Sequence, residues 1–326
     1  MLRIATFNIE NLDGNPGDPE LEGRVAVLRA MLTRLDADIL CLQEVHGQEL
    51  PGHSTSNPQR ELSALDHVFQ GTDYANRPRV STLTSGGAIF DKRNLVVVSA
   101  HPIVNSFQHK NTEIDKLQYR KVTAIPNEDE AKEITWERPV LHVDIDVPNL
   151  GTVHVLNLHL KSRLASNIAG QKNGFQWNSA AGWAEGYFLS SIKRVGQALE
   201  TRLVVDRIFD SEEDARVVVC GDFNAEPGEV PVEAICGKVE NTDNAGLRNR
   251  VLIPCSNGIS ESVRYTHLHH GEKNLLDHML ISQSMLPHFR RAEIYNENLH
   301  DESLPFRFDE KFPESDHAGF VGLFEF

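Results

Sequence analysis

The sequence predicts an α/β fold in which two packed β-sheets lie between outer helices. Two groups of strands indicate it: one occupies the first hundred residues, the other begins at residue 139, and each contains a helix that joins two strands. Sheets with an apolar face need a covering layer, and two packed sheets with helices outside accommodate both groups. No Ser/Pro-rich linker, low-complexity tract or short repeat divides them, so we expect a single domain over residues 1–326.

The chain opens with a strand, a helix and a second strand. "LRIATFNI" begins at Leu2 as an apolar strand, and "DILCLQEV" ends at Val45 as another. Strands joined through a helix are typical of a β-α-β unit, which predicts that both lie in the same sheet. The helix between them is recognised by one apolar stripe, made of Leu21, Val25, Leu28, Leu32 and Leu35.

The middle of the chain is richer in strands. Apolar runs within residues 86–103, 139–147 and 151–160 predict three of them, whereas residues 105–135 are polar and predict an irregular segment. Residues 166–187 form a Gly-, Asn- and Ala-rich stretch with four aromatic side chains. The helix that follows is expected to share one apolar face among Ile192, Val195, Leu199 and Leu203.

Charge and cysteine content restrict the possible partners. The net charge of −15 argues against a basic groove that grips a long nucleic-acid backbone. It leaves phosphate substrates open, because bound divalent cations supply positive charge where they sit. The cysteines form no CxxC pair, which favours buried reduced thiols over a zinc site built from Cys41, Cys220, Cys236 and Cys255.

The sequence carries no recognisable membrane or export signal. There is no 18-residue apolar run, so no transmembrane segment is expected. The N-terminus lacks the basic region and the long apolar region of a signal peptide. We expect a cytoplasmic protein, monomeric and without an evident protein partner.

Polar side chains end several of the apolar strands. Asp222 and Asn224 close "VVVCGDFN" two positions apart, so both point to one face of an extended chain. Taken singly, such residues are more often caps, turn residues or hydrogen-bonded core groups. Several together indicate a site, because burying carboxylates and imidazoles without partners is costly. The other strands that show this feature end at or near Asn8, Glu44, Asn157 with His159, Asp277, and Asp316 with His317.

These residue types suit metal-assisted phosphate chemistry. Carboxylate and amide oxygens are hard ligands for Mg²⁺, which takes one or two carboxylates and keeps waters for a phosphate. A histidine with an aspartate partner suits proton transfer or stabilisation of transition-state charge. The strand ends therefore predict a centre that holds a metal ion or a phosphate.

Six segments, in order, resemble the successive motifs of the endonuclease/exonuclease/phosphatase superfamily, the deoxyribonuclease I-like fold. They lie within residues 4–320 and read "TFNIENL", "CLQEV", "NLHLKS", "GDFNAEP", "LLDHMLIS" and "SDHAGF". The resemblance implies a four-layer α/β sandwich, with two packed mixed β-sheets flanked by helices. It also implies hydrolysis of phosphate esters with Mg²⁺ or Mn²⁺ as cofactor.

The resemblance implies a metal site and a water or phosphate site. Asn8, Glu44 and Asp316 match the metal-site residues, with Glu44 as the principal ligand. Asp222 and Asn224 match the pair that binds the attacking water, the phosphate or a second metal. The bound metal would polarise a phosphoryl oxygen while a water attacks in line.

The resemblance also implies a catalytic histidine pair. His317 matches the catalytic imidazole, and Asp277 matches the carboxylate that orients it. His159 matches the histidine that contacts the scissile phosphate, with Asn157 beside it. Either His317 or Asp222 would take the proton of the attacking water, and the sequence leaves both open.

Cations and aromatic residues near these motifs are candidate substrate contacts. Lys161 and Arg163 follow His159, and the Lys-Ser pair resembles that of certain bacterial nucleases; a solvated loop is the alternative. Trp177 and Trp183 either border the cleft, where they would stack a base or cover a lipid headgroup, or pack in the core. The run "YTHLHHG" indicates a polar hairpin or a second metal site.

The predicted function is a divalent-metal-dependent phosphodiesterase, and first of all a nuclease acting on DNA or RNA. Two other enzymes stay open because the chain has no basic stripe: a phosphomonoesterase, and a lipid phosphodiesterase acting on inositol phosphates or sphingomyelin. The lack of a long apolar hairpin weakens the sphingomyelin alternative. A catalytically inactive phosphate-binding module would require lost ligands, whereas every expected position is filled.

Overall fold

Two six-stranded β-sheets form the centre of the protein. The computed structural model of the chain describes residues 1–238, 240, 242–308 and 312–326. The helices are α1 (Pro19–Leu35), α2 (Ser63–Phe69), α3 (Ala180–Ser211), α4 (Val230–Cys236) and α5 (Ser303–Phe308). The strands of the two sheets, in chain order, are β1 (Leu2–Leu12), β2 (Ile39–Val45), β3 (Arg79–Ser81), β4 (Asn94–Ser99), β5 (Ile103–His109), β6 (Val140–Val147), β7 (Gly151–His159), β8 (Arg216–Asp222), β9 (Ile253–Pro254), β10 (Asp277–Ile281), β11 (Phe289–Tyr295) and β12 (Gly319–Phe324).

Both sheets are mixed and follow the same plan. The first has the order β11-β12-β1-β2-β4-β3, and the second has the order β9-β10-β8-β7-β6-β5. Each contains one parallel pair, β1 with β2 through α1 and β7 with β8 through α3. The remaining pairs are antiparallel. The predicted β-α-β unit at the start of the chain is thereby confirmed.

Apolar side chains fill three layers of core, as the alternation along each strand requires. Between the sheets, Cys41 and Val97 of the first face Val143 and Cys220 of the second. The outer face of the first sheet packs against α1 and α2, and that of the second packs against α3 and α4. The order helix, sheet, sheet, helix is the predicted four-layer α/β sandwich. All four cysteines are buried and free.

The polar segment at residues 105–135 is not irregular throughout, which corrects the prediction. β5 extends to His109 and pairs with β6 as the edge of the second sheet. Farther on, Leu117–Tyr119 pairs with Lys132–Ile134 as a short hairpin. β5 and the strand Leu117–Tyr119 are both largely exposed, so they need no alternation of apolar and polar residues. Without that alternation, the sequence pattern does not identify them as strands.

The long helix α3 begins earlier and buries another face than the sequence predicts. It starts at Ala180, where Ser179 accepts a hydrogen bond from the backbone of Gly182 as the N-terminal cap. Leu199 and Leu203 of the predicted stripe are 46% and 38% exposed, whereas the buried residues include Ala198, Val205 and Ile208. Among the described residues, no helix has the length and apolar character needed to cross a bilayer.

Candidate active site

The carboxyl ends of the two parallel strand pairs meet at one edge of the sandwich. Asn8 near the end of β1 donates from Nδ2 to Asp222 Oδ2 at the end of β8, at 3.1 Å. His159 at the end of β7 places Nε2 3.5 Å from Glu44 Oε1 near the end of β2. Both contacts join one sheet to the other, so the site belongs to both sheets.

One oxygen of Asp222 is the point on which the polar side chains converge. The residue is 2% exposed. Its Oδ2 accepts hydrogen bonds from Asn8 and, at 3.0 Å, from Asn224 Nδ2. The same oxygen lies 3.3 Å from His159 Nε2 and 4.0 Å from His317 Nε2. Two imidazoles and two amides thus surround one buried carboxylate.

The turn that carries Asp222 depends on the residues of "GDFN". Gly221 has φ of +137°, and a Cβ there would lie 2.0 Å from the carbonyl oxygen of Leu158, so no side chain fits. Phe223 is buried, while Asn224 has φ of +49° and donates its backbone N–H to Asp222 Oδ1 at 2.8 Å. Asp222 and Asn224 therefore lie together as predicted, but a turn and not strand alternation joins them, because β8 ends at Asp222.

His317 and Asp277 are brought together from positions 40 residues apart. The distance from His317 Nδ1 to Asp277 Oδ2 is 2.7 Å, and Asp277 is fully buried. Burial by itself would lower the pKa of His317, but the charges of Asp277 and Asp316 outweigh it and hold the pKa well above its usual range. The ring is therefore an imidazolium whose Nε2 faces Asp222.

His159 is the opposite case, a neutral imidazole. Burial, together with the nearby charge of Arg138, holds the pKa of His159 well below its usual range. Arg138 is itself buried and donates to the backbone carbonyls of His159 and Leu160, both at 3.0 Å. It therefore supports the end of β7.

Glu44 reaches the site through an unusual backbone conformation. Its φ is +62°, and the neighbouring Glu10 and Asn11 also have positive φ, at +49° and +42°. Such conformations cost a non-glycine residue about 1–2 kcal/mol and often mark functional sites. The carboxylate accepts the backbone N–H of Asn11 at 3.1 Å and lies 3.8 Å from Arg93 Nε.

Asp316 adds a further buried carboxyl group beside His317. Its Oδ1 lies 3.9 Å from His317 Nε2, and its backbone N–H donates to Glu10 Oε2 at 3.0 Å. Burial raises the pKa of Asp316 to about 7 and that of Asp222 to about 6. Burial also raises the pKa of Glu10. These acids resist ionisation because they share a dry site.

This set of donors fits a divalent cation. Carboxylate oxygens that burial makes hard to ionise are stabilised by a positive charge placed among them, and they are hard ligands. Among the described residues, two groups of possible metal-binding side chains meet at His317: Asp222 with Asp277, and His267 with Asp316. Since His317 is protonated, the carboxylates of Asp222 and Asp316 are the donors that these groups offer to an ion. A bound Mg²⁺ or Mn²⁺ would supply a Lewis acid for a phosphoryl oxygen.

The predicted metal ligands are not all in one group. Glu44 faces His159 and Arg93 rather than Asp316. Asn8 uses its amide internally, since it donates to Asp222 and accepts the backbone N–H of Glu10 at 3.0 Å. Asn8 therefore positions the carboxylate of Asp222 through this hydrogen bond.

Asn157, predicted to bind substrate, does not reach the site. Its side chain is fully buried between the sheets. Nδ2 donates to the carbonyls of Leu42 and Val96, and Oδ1 accepts from Gln43 Nε2 at 2.7 Å. All its polar atoms are used, so Asn157 ties β7 to the first sheet and has nothing left for a phosphate.

Lys161 and Arg163 differ in how their charges are used. Lys161 Nζ donates to Ser162 Oγ at 2.9 Å and makes no ion pair within the described part of the chain. It lines a cavity of about 510 Å³ next to the end of β7. Arg163 instead pairs with Glu226 at 3.3 Å and with Glu229 at 2.8 Å. Lys161 is therefore the freer cation.

Sequence reasoning missed one histidine of the site. His267 lies in a hairpin of His267–His269 with Glu272–Asn274, so the polar-hairpin interpretation of "YTHLHHG" is right. Yet its ring centre is 5.3 Å from that of His317, and its Nε2 lies 3.1 Å from Glu302. The histidine-rich run "YTHLHHG" was the feature of the sequence that pointed to His267. Its contact with His317 could not be predicted, because the two residues lie far apart along the chain.

Solved structures share this fold at low sequence identity. Truncated TDP2 from Caenorhabditis elegans matches with a TM-score of 0.57 at 15% identity, over 99% of this chain and 97% of that one. An AP endonuclease from Archaeoglobus fulgidus matches with 0.54 at 14%, over 100% of both chains. The 3′ phosphatase NExo from Neisseria, bound to a product DNA hairpin, matches with 0.52 at 15%, also over 100% of both. At such identities the likeness establishes the fold.

The sequence itself matches a family over nearly its whole length. Comparison with curated proteins finds no match. The sequence model of the Endonuclease/Exonuclease/phosphatase family, however, matches residues 5–317, which include every strand end that forms the site. The chain therefore belongs to the endonuclease/exonuclease/phosphatase family, as its ordered motifs predicted.

Proposed function

We propose that this protein is a divalent-metal-dependent phosphodiesterase that hydrolyses nucleic acid, DNA or RNA. One observation carries the proposal: two imidazoles, His159 and His317, converge on a single buried carboxylate, Asp222, and their surroundings shift the pKa of His159 down and that of His317 up. In-line attack on a phosphate needs an acceptor for the proton of water and donors for the charged phosphoryl oxygens. The site offers both within a few ångströms.

Each residue has a distinct role in this proposal. Asp222, with a pKa of about 6, is ionised at neutral pH and accepts the proton of the attacking water. His317, held as an imidazolium by Asp277, donates to the phosphoryl oxygens as charge builds on them. His159 donates from Nε2 to another phosphoryl oxygen. Glu44, beside His159, and Asp316, beside His317, would each offer a carboxylate oxygen to the bound cation.

The proposed substrate class rests on fold neighbours and on local charge. An AP endonuclease and a 3′ phosphatase bound to a DNA hairpin share the fold, which favours a nucleic-acid strand. With a net charge of −15, backbone contacts must be few and close to the site. Lys161 and the half-exposed Arg93 are the cations placed for them. A 3′-phosphate at a DNA end is the second candidate, favoured by the likeness to the 3′ phosphatase.

A substrate panel tests the proposal. Purified protein would be offered single- and double-stranded DNA, RNA, 3′-phosphorylated DNA, inositol phosphates and sphingomyelin, with Mg²⁺, with Mn²⁺ or with EDTA. We expect cleavage of a nucleic acid that EDTA abolishes. Cleavage that persists in EDTA would contradict the metal requirement. Hydrolysis of inositol phosphates or sphingomyelin, with every nucleic acid intact, would contradict the substrate class.

A further inference from the structure

We propose that His142, Asp144 and His154 form a second metal site, built for a divalent transition-metal ion of the Zn²⁺ type. The three side chains lie on the outer face of the second sheet and take no part in the proposed hydrolysis. The inference therefore does not depend on the proposed function.

The pairing of two strands places the three side chains together. His142 and Asp144 are two positions apart on β6, and His154 of β7 pairs directly with Asp144. Residues two apart share a face of a strand, and directly opposed residues have adjacent side chains. The intervening Val143 and the neighbouring Val155 point into the core between the sheets, so the three polar side chains point outward.

The ligand atoms are close to the spacing that zinc requires. His142 Nε2 lies 2.9 Å and His154 Nδ1 lies 2.7 Å from Asp144 Oδ1, and the two nitrogens are 3.3 Å apart. Donors at 2.0–2.1 Å from a tetrahedral ion are about 3.3 Å from one another. Entry of an ion would move the carboxylate oxygen by roughly half an ångström, a shift that side-chain rotation permits.

The surroundings hold the three ligands in place. Asn105, which pairs with Asp144 across β5 and β6, donates from Nδ2 to Asp144 Oδ2 at 3.1 Å and leaves Oδ1 to the histidines. Outer-shell hydrogen bonds of this kind orient metal-ligating carboxylates. The ring of His142 packs beside Phe107, with the ring centres 5.4 Å apart. The side chains of His142, Asp144 and His154 are only 8%, 11% and 15% exposed.

The ligand types select the class of ion. Two imidazole nitrogens and one carboxylate oxygen suit Zn²⁺ and its neighbours in the first transition series, whereas Mg²⁺ and Ca²⁺ prefer oxygen ligands throughout. Three protein ligands leave the fourth position to water. His154 is five residues from His159 and on the other face of β7, about 16 Å along the strand. The site is thus separate from the catalytic centre, and a bound ion would cross-link β6 to β7 through their side chains.

Zinc titration of the metal-stripped chain of residues 1–326 tests this site. Calorimetry would be done in excess Mg²⁺, which competes for the carboxylates of the catalytic centre and not for the imidazoles of this cluster. We expect one equivalent of Zn²⁺ to bind and to raise the Tm. His154→Asn and His142→Asn should each weaken zinc binding about a hundredfold or more, and Asn105→Ala should weaken it about 10–100-fold.

Two control variants locate the bound zinc in the molecule. His101→Asn removes a histidine outside the cluster and should bind zinc as the wild type does. Glu44→Gln alters the catalytic centre and should keep the zinc equivalent. The proposal is overturned when the wild type binds no zinc, when His154→Asn binds it equally well, or when Glu44→Gln abolishes it. If circular dichroism shows that His154→Asn is misfolded, Asp144→Asn serves in its place under the same criteria.

Discussion

Glu44 shows how a single residue joins backbone strain to chemistry. Its left-handed backbone turns the carboxylate toward His159 instead of the core. Glu44→Gln keeps the shape of the side chain and removes its charge. We expect metal-dependent hydrolysis to fall about 10²-fold or more, the scale for losing one group that stabilises transition-state charge. Steady-state kinetics at saturating Mg²⁺ would measure this loss.

The matched control is Glu49→Gln. Glu49 lies five residues farther on, and its carboxylate is exposed and paired with Arg60. This control should leave kcat unchanged, and both variants should retain the wild-type circular dichroism spectrum. Undiminished turnover by a folded Glu44→Gln protein would remove Glu44 from the metal site.

The pair of Asp277 and His317 makes a second prediction at the residue scale. The carboxylate fixes the ring and stabilises its charge, so removing either partner disables the same unit. Asp277→Asn and His317→Ala should each lower kcat about 10²–10⁴-fold, the range for a positioned proton-transfer group. The double variant should be little worse than the worse single variant, because the losses are not additive.

Single-turnover kinetics of the three variants would measure these losses. If the two single losses multiply fully in the double variant, the residues act independently. The pair would then have to be abandoned as a unit even though both residues are essential.

At the scale of elements, Trp177 precedes the start of α3 and Trp183 follows it, and the two side chains have different environments. Trp177 packs against the small apolar cluster that contains Ile134, Ile168 and Leu189. Trp183 lies on the first turn of the helix, is 46% exposed, and stacks on Tyr187 with ring centres 5.3 Å apart. The first has the environment of a core residue, and the second has the environment of a contact surface.

The two tryptophans should therefore respond differently to truncation. Trp183→Ala should raise KM for a polynucleotide about fivefold or more, the effect of losing one stacked base, and leave a small generic phosphodiester nearly unaffected. Trp177→Ala should lower the Tm and reduce both activities together. The KM values, with the Tm of each variant, distinguish the cases. Equal losses on both substrates by a destabilised Trp183→Ala would place Trp183 in packing instead.

At the scale of the whole molecule, the buried acids link stability to pH and to metal. The pKa of Asp316 is about 7 in the folded protein, against an ordinary value of 3.8. The folded state therefore holds this proton more tightly than the unfolded chain does. In the metal-free protein, this contribution to stability is present below pH 4 and is lost as the pH rises to 7.

Asp316→Asn tests this linkage because it removes the titrating group. Without metal, the variant should have a Tm higher than the wild type by on the order of a few degrees at pH 8, and the difference should shrink at pH 5. Mg²⁺ should raise the Tm of the wild type more than that of the variant. Asp73→Asn, an exposed site, should show neither effect. An identical Mg²⁺ response in wild type and Asp316→Asn would exclude Asp316 as a ligand.

Some features of the site follow from local sequence alone. The motif "GDFN" places Asp222 and Asn224 in one tight turn, and Gly221 marks the close strand contact beside them. Two groups of strands, each with its own helix, are accommodated by two packed sheets with helices outside, and the family resemblance implied the four layers. The partnership of Asp277 with His317 was supplied by the family resemblance, because no local pattern links positions 40 residues apart.

The sequence by itself determined the buried strands, their order of motifs and the polar residues at their ends, since these depend on periodicity and on neighbours along the chain. The exposed strand β5 carries no such periodicity and was not predicted. Only the tertiary structure decided which of those residues share a site. Asn157 faces the other sheet, Arg163 is held by two glutamates, and His267 joins His317. These outcomes depend on which strand lies beside which and in what register. Such contacts are set by packing between distant segments, so the order of residues along the chain does not display them.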